Sequence, residues 1–246
     1  MTYFEGFLVP VPEANREAYR TQASGFAPLA REFGVQRHVE AWDSDVPEGK
    51  VTDFRKAVDA KPDEKVVFSW FEYPDRQARD AANDKIMNDP RVKEQFADMP
   101  FDGQRMIVGG FEAIVEEGAE AGGYTDGFVV PVPEGKREAY RELAARMAKV
   151  FREHGATRVV EAIADDVKHG KVTDFYRAVK AEEGETVVFS FIEWPDKQTR
   201  DDAWAKIMND PAMKPEGDMP FSGQRMFWGG FEPIFDTART KEPATA

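Results

Sequence analysis

The segment GKVTDF occurs at residues 49–54 and again, letter for letter, at residues 170–175. Around it, the residues from Tyr3 onward align with those from Tyr124 onward at an offset of 121, which becomes 120 after one deletion in the second copy. Most aligned residues are identical. Because this period far exceeds the roughly 20–50 residues of stacked repeats, the chain is predicted to contain two copies of one whole domain.

The two copies divide the chain into four segments. We place the first copy at residues 1–117, a linker at 118–123 and the second copy at 124–237. The segment EEGAEAGG, which overlaps that linker, is acidic and rich in glycine, as flexible linkers are. The tail at 238–246 has few apolar residues and is expected to be disordered.

Charge and composition exclude several classes of function. The 33 Lys and Arg residues against 46 Asp and Glu give a net charge of −13, which disfavours a nucleic-acid partner. The absence of cysteine excludes disulfides, thiolate nucleophiles and cysteine-ligated metals. No apolar run approaches the roughly 18 residues of a membrane span, so we expect no membrane partner and a cytoplasmic location.

Hydrophobic periodicity predicts the order β-α-β-β-α-β within each copy. The first strand is expected over residues 4–9 and to stop at Pro10 and Pro12. An amphipathic helix is predicted over residues 13–33, with Gly34 as its stop signal.

The second half of each copy follows from similar patterns. Further strands are predicted over residues 35–42, 66–72 and 104–115, and a second helix over about 74–87. Gly109 and Gly110 interrupt the last strand, which indicates a bulge or a close approach of backbones.

The GKVTDF segment falls in an insertion, residues 43–62, between the second and third strands. Thr52 is predicted to cap a short helix, with Asp53 in its first turn. Asp53 and its counterpart Asp174 are also candidates for binding a ligand at a pocket mouth, although a helix start explains an acidic residue without any ligand.

This element order is that of the ferredoxin-like plait, in which both helices cover one face of an antiparallel sheet. In the third strand Val66, Phe68 and Trp70 point one way while Val67 and Phe71 point the other, so both faces of the sheet are apolar. Monomers rarely expose such a face. We therefore predict an α+β fold, in which two ferredoxin-like repeats pack sheet to sheet as a barrel closed within one chain.

Several motifs, each present twice in this or near-identical form, carry a family resemblance; they are GFLVPVPE, GKVTDFxxAV, VVFSWFEYPD, IMNDP, MPFxGQRM and GGFE. They resemble the bacterial family named domain of unknown function 1428, within the dimeric α/β-barrel superfamily. The resemblance covers essentially both copies and implies a barrel that ordinary members form by homodimerisation. It implies no established reaction, since the superfamily includes monooxygenases, peroxidases and small-molecule-binding proteins.

Four glutamates near the strand ends are candidate acids or bases: Glu40, Glu72, Glu161 and Glu193. They lie near Trp42, Trp70 and Trp194, and carboxyls in aromatic surroundings can have raised pKa values. Strand parity puts Glu72 on the face of Trp70, and Glu40 on the face of His38 and Trp42. If both faces line the barrel interior, the four carboxyls approach one cavity.

The alternative for these glutamates is exposure to solvent or pairing with arginines, namely Arg37, Arg158, Arg105 or Arg225. Arg105 and Arg225, from MPFxGQRM, can equally hold a ligand carboxylate. None of the three histidines recurs in the other copy, so the sequence predicts neither a metal site nor a cofactor. His38 is the histidine most suited to contact a ligand, because it lies on a strand near Trp42.

Three functional hypotheses follow from these residues. The first is a binding protein that holds a small, partly aromatic molecule in the barrel, with Trp42, Trp70, Trp194 and their neighbours as contacts. The second is a cofactor-independent oxygenase or isomerase that uses the barrel glutamates as acid and base, which requires at least one buried glutamate with a raised pKa. The third is a solid barrel with a purely structural role.

Overall fold

The computed structural model describes residues 1–210 and 217–239, so most of the predicted tail, from residue 240 on, lies outside the described residues. The strands are β1 (Tyr3–Pro12), β2 (Arg37–Asp45), β3 (Glu64–Tyr73), β4 (Ile107–Gly118), β5 (Tyr124–Pro133), β6 (Arg158–Asp166), β7 (Glu185–Trp194) and β8 (Phe227–Asp236). The helices are α1 (Arg16–Phe33), α2 (Phe54–Ala57), α3 (Arg76–Asn88), α4 (Pro90–Gln95), α5 (Arg137–Glu153), α6 (Phe175–Ala178) and α7 (Lys197–Ile207).

The eight strands form one closed barrel in the order β1-β3-β2-β8-β5-β7-β6-β4. Each copy contributes a four-stranded antiparallel sheet, and the sheets join at two seams, β2 with β8 and β4 with β6. The predicted barrel within one chain is therefore confirmed. Its sheets also pair through backbone hydrogen bonds at both edges, which leaves the barrel without a free edge.

Two details of the strands differ from the sequence-based expectation. β1 continues through Pro10 and Pro12, which pair with β3 alone. Its pairing with β4 ends at Leu8, and proline is tolerated where one side of a strand is unpaired. β4 extends through Gly118, so residues expected to begin the flexible linker pair with β6 instead. The bulge predicted at Gly109 and Gly110 is confirmed by a register shift against β6 that follows Gly110.

The helices follow the predicted pattern, with one correction. α1 ends at Gly34, whose φ of 114° is in the left-handed region that favours glycine. The cap of α2, however, is Asp53 and not Thr52, because the extended backbone of Asp53 lets its carboxylate accept from Lys56 N.

The barrel interior is filled by aromatic rings from both copies. Phe68 and Phe189 stack with their ring centroids 4.5 Å apart and their planes nearly parallel, and Trp70 stacks on Phe191 at 4.3 Å. A side chain at Gly127 would collide with the Phe68 ring, which explains glycine there. The second copy therefore covers the apolar face of the first, as predicted, and the helices cover the other face.

Candidate functional site

Strand parity places the four candidate glutamates on opposite sides of the barrel wall. Glu72 follows Phe68 and Trp70 on the interior face of β3, and Glu193 is its counterpart on β7. On β2 the interior residues are Val39 and Ala41, so Glu40 faces the helix layer. The expectation of one cavity shared by four carboxyls is therefore wrong, because the face of His38, Glu40 and Trp42 packs beneath α1.

The interior pair belongs to a buried ionic network at one end of the barrel. Arg37 contacts Glu193 at 2.6 Å and Asp236 at 2.9 Å, and Arg158 contacts Glu72 at 2.7 Å. Burial alone lowers the pKa of Arg37, but its hydrogen bonds to Glu193 and Asp236 raise that pKa overall. The predicted alternative, pairing with arginine, is what the structure shows for Glu72 and Glu193.

On the helix side of the first copy, Glu40 lies in a closed aromatic cluster. The Tyr19 hydroxyl donates to Glu40 Oε2 at 2.7 Å, and His38 Nε2 lies 2.7 Å from Glu40 Oε1. The imidazole packs edge-on against Phe71 with centroids 4.5 Å apart, and Phe26 lies against both rings. These side chains pack around the carboxyl, and Glu40 is only 6% exposed.

The same position in the second copy is open. Glu161 keeps the tyrosine, since Tyr140 donates to it at 2.7 Å. The three residues that seal the first site are replaced by aliphatic ones: His38 by Val159, Phe26 by Met147 and Phe71 by Ile192.

A cavity of about 200 Å³ lies beside the carboxyl, between α5 and the outer face of the sheet. Its polar lining residues are Glu161, Tyr140, Ser190 and Arg146. Its apolar walls are aromatic and thioether side chains, which include Phe128, Phe151, Phe221, Met147, Met219 and Met226.

The carboxyl of Glu161 has the electrostatics of an acid or a base. Burial in apolar surroundings raises its pKa to about 7, although hydrogen bonds from Tyr140 and Ser190 oppose the rise. Near neutral pH both protonation states are therefore populated. This group can accept a hydrogen bond as a carboxylate and donate one as a carboxylic acid.

The sequence contained a signal for this cavity in the differences between its copies. Two bulky rings of the first copy, Phe26 and Phe71, align with the smaller Met147 and Ile192, and Phe96 has no aromatic counterpart in the second copy. Agreement between the copies indicates the fold, whereas the side-chain volume lost in the second copy indicates the cavity.

The three predicted tryptophans lie in separate environments. Trp70 is in the barrel interior and donates to Glu72 at 2.9 Å, whereas Trp194 faces the helices and donates to Asp126 at 2.9 Å. Trp42 is buried under α1 beside Arg16. None of the three lines the cavity beside Glu161.

Asp53 and Asp174 cap their own short helices. Asp174 accepts from Arg177 N at 2.8 Å, as Asp53 does from Lys56 N at 2.7 Å. Between the two GKVTDF segments lies a cleft of about 410 Å³, but neither carboxylate lines it. Both carboxylates therefore cap a helix start, which explains an acidic residue at these positions without any ligand.

Other contacts of the GKVTDF segments and the MPFxGQRM motifs are also internal. The Thr52 hydroxyl donates to Ala178 O and that of Thr173 to Ala57 O, each at 2.6 Å, which ties the copies together. Arg105 pairs through two hydrogen bonds with Glu64, and Arg225 does so with Glu185. These arginines neutralise buried acids of the fold.

Across residues 1–210 and 217–239, no group of three or more His, Asp or Glu side chains has the arrangement of a metal site. Within the same residues no helix has the length and hydropathy needed to cross a membrane.

Comparison with known sequences identifies the family. Residues 2–103 and 123–223 each match the family described as "Protein of unknown function (DUF1428)". The chain belongs to this family. The protein from Escherichia coli K12 described as "Uncharacterized protein YbaA" is 60% identical over 117 residues, which are 48% of this chain and 100% of that protein. A Shigella flexneri protein of the same description has the same identity and coverage. One copy of the DUF1428 domain thus corresponds to the whole of these relatives.

Solved structures with the same fold have little sequence in common with this chain. A structure described as a putative monooxygenase from Fusobacterium nucleatum aligns with a TM-score of 0.57 at 12% identity, over 96% of this chain and 93% of that one. Another of the same description, from Lactobacillus acidophilus, gives the same TM-score and identity and is covered to 95%. At this identity the likeness shows a shared α/β-barrel fold and not a shared reaction.

Proposed function

We propose that this DUF1428 protein binds one small, predominantly apolar molecule in the cavity of its second copy, with Glu161 as the polar anchor. The observation that carries the proposal is the cavity of about 200 Å³ with one ionisable carboxyl on its wall. Binding sites for small molecules commonly combine apolar walls with a few polar groups that fix orientation. The site differs from the barrel interior suggested by the sequence, because stacked rings fill the interior.

Cavity size limits the ligand. An apolar cavity of about 150 Å³ is known to hold a benzene-sized molecule. The cavity beside Glu161 is somewhat larger, so it has room for one six-membered ring with one or two further atoms.

A second candidate function is proton transfer, and the observation that favours it is the pKa of Glu161, about 7. A general base works best when its pKa lies near the operating pH. In this version Glu161 removes a proton from the bound molecule, as in a cofactor-independent isomerase or oxygenase. Binding is required for either function, so it is tested first.

The binding proposal is tested by native mass spectrometry of protein purified from its source, together with a cavity-filling variant. We expect one retained small molecule per chain in the wild-type protein and none in Met147→Phe/Ile192→Phe, which introduces the two rings of the first copy. The control is Arg20→Ala, an exposed residue on α1 of the first copy, which should retain the molecule. Equal retention by the filled variant would contradict the proposal.

We also propose that the protein acts in the cytoplasm and without a nucleic-acid partner. Its charge of −13 supports a role that does not involve nucleic acid, and the lack of cysteine is compatible with the cytoplasm.

A further inference from the structure

We propose that the ligand is a single aromatic ring that carries one O–H or N–H group, such as a phenol or an azole. This inference rests on the proposed function and names the chemical class that the cavity of the second copy accepts. It is drawn from the first copy, where the side chain of His38 occupies the position that such a ligand takes beside Glu161.

The contacts of His38 define the interaction that the second copy lacks. Glu40 has one oxygen bonded to the Tyr19 hydroxyl and the other 2.7 Å from His38 Nε2. Within the described part of the chain, His38 Nδ1 has no hydrogen-bond partner. An ionised carboxylate can only accept hydrogen bonds. These contacts are therefore satisfied when Nε2 carries the proton and its N–H donates a hydrogen bond to Glu40.

The surroundings of that imidazole are those of a bound aromatic ring. Phe71 and Phe235 meet it edge-on, with centroids at 4.5 and 5.1 Å and interplanar angles of 77° and 72°. Edge-to-face contacts at such distances stabilise aromatic pairs beyond the area that they bury. The first copy thus holds a planar ring that is edge-packed and hydrogen-bonded to a glutamate.

The second copy keeps the receptor and lacks the ring. Tyr140 still donates to Glu161 as Tyr19 does to Glu40, but Val159 has neither a ring nor a donor. The cavity walls retain rings, with Tyr140 and Phe221 at 5.9 Å and an interplanar angle of 82°. Met147, Met219 and Met226 add polarisable sulfurs, which pack favourably against aromatic rings.

The charges around the cavity limit the chemical class of the ligand further. Arg146 also lines the cavity. A ligand carboxylate would still lie beside the Glu161 carboxylate and in the field of a chain with a net charge of −13, so we take the ligand to be neutral. A hydroxyl suits the site especially well, because it donates to the carboxylate and accepts from the carboxylic acid. Hydroxyl-bearing rings are therefore expected to bind on both sides of neutral pH.

Four probes of similar size test the class with the full-length protein in an amide chemical-shift titration: phenol, toluene, cyclohexanol and benzoate. Phenol combines ring and donor, toluene lacks the donor, cyclohexanol lacks the aromatic ring, and benzoate adds a charge. We expect phenol to bind at least tenfold more tightly than each of the others. Glu161→Leu should weaken the binding of phenol about tenfold and leave that of toluene unchanged. Glu161→Gln retains hydrogen bonding and disturbs the fold less, and it should weaken the binding of phenol less than Glu161→Leu does.

The outcomes separate this inference from the proposed function. If toluene or cyclohexanol binds as tightly as phenol and Ile192→Phe abolishes that binding, the cavity is a binding site but the ligand class is wrong. If none of the four probes binds to the folded wild-type protein, both proposals are overturned. Phenol binding that Glu161→Leu and Ile192→Phe leave unchanged would place the phenol site elsewhere and overturn the inference.

Discussion

The helix-facing sides of the two copies each have a tyrosine bonded to a glutamate on the sheet, yet one side is sealed and the other is open. In the first copy Phe26, Phe71 and His38 fill the space beside Glu40. In the second, smaller residues leave a cavity beside Glu161. The barrel interior shows no such divergence, because Arg37 and Glu72 recur as Arg158 and Glu193 in one ionic network.

A duplicated domain can change at low cost where a substitution affects one copy only. An interior or seam residue contacts both copies, as when Thr52 bonds to Ala178 and Thr173 bonds to Ala57, so a substitution there disturbs two domains. The residues that line the cavity beside Glu161, by contrast, all belong to the second copy. One copy can therefore lose its cavity, or acquire one, while the barrel still closes.

The largest expected effect concerns the buried ionic network, to which both copies contribute. Arg37→Ala and Arg158→Ala should each destabilise the protein by about 3–5 kcal/mol, because each removes the arginine that makes two hydrogen bonds to a buried glutamate, Glu193 or Glu72. Denaturant unfolding measures the effect, with the exposed Arg20→Ala as the control. Strongly unequal losses, or losses below about 1 kcal/mol, would contradict the symmetric role of the network.

The second prediction concerns opening the sealed side. Phe26→Met/Phe71→Ile, which introduces the residues of the second copy, should cost about 2–4 kcal/mol because buried volume is lost. Adding His38→Val, which removes the ring beside Glu40 and introduces the residue of the second copy, should create a second binding site for phenol. The reciprocal Met147→Phe/Ile192→Phe should cost less, since its rings enter an existing cavity. Denaturation and probe titration of both variants measure these differences, and equal costs would show that the two sides are packed alike.

The third prediction is a pH dependence that belongs to Glu161. The pKa of Glu161 in the folded protein, about 7, lies above its ordinary value of 4.5. The contribution of Glu161 to the free energy of unfolding is therefore complete below about pH 4.5 and is lost as pH rises through 7. The free energy of unfolding of the wild type, minus that of Glu161→Gln, should fall by up to about 3 kcal/mol between pH 4.5 and 8. A flat difference would mean that Glu161 ionises normally.

The smallest expected effect is that of separating the copies. A site-specific protease sequence placed at residues 119–121, between β4 and β5, allows the connection to be cut. The halves should stay together at the elution volume of the intact chain, since both seams are hydrogen-bonded. Free single-copy monomers on size-exclusion chromatography would contradict this expectation.

The architecture was accessible from the sequence because its causes are local and repeated. The duplication and the alternation of Val66, Phe68 and Trp70 were enough to predict the closed barrel. The strand ends were less accessible, because Pro10 and Pro12 are tolerated only where β4 stops pairing, which is a tertiary property.

The candidate site was accessible only in part. The sequence indicates Glu161 as a candidate, but parity alone does not say which face becomes the interior. It therefore does not separate Glu40 and Glu161 from Glu72 and Glu193. The cavity depends on volumes summed over several elements, which include Met147 on α5 and Ile192 on β7. Single residue types carry little of that information.

The most direct test of the central claim, that only the second copy has an open binding site, is a methyl NMR titration with phenol of protein labelled at its methionine methyl groups. Met147, Met219 and Met226 line the cavity, while Met99 and Met106 are the first-copy counterparts of Met219 and Met226. We predict saturable shifts for Met147, Met219 and Met226 with one phenol per chain, and none for Met99 or Met106. Equal shifts in both copies, or shifts in neither, would contradict the claim.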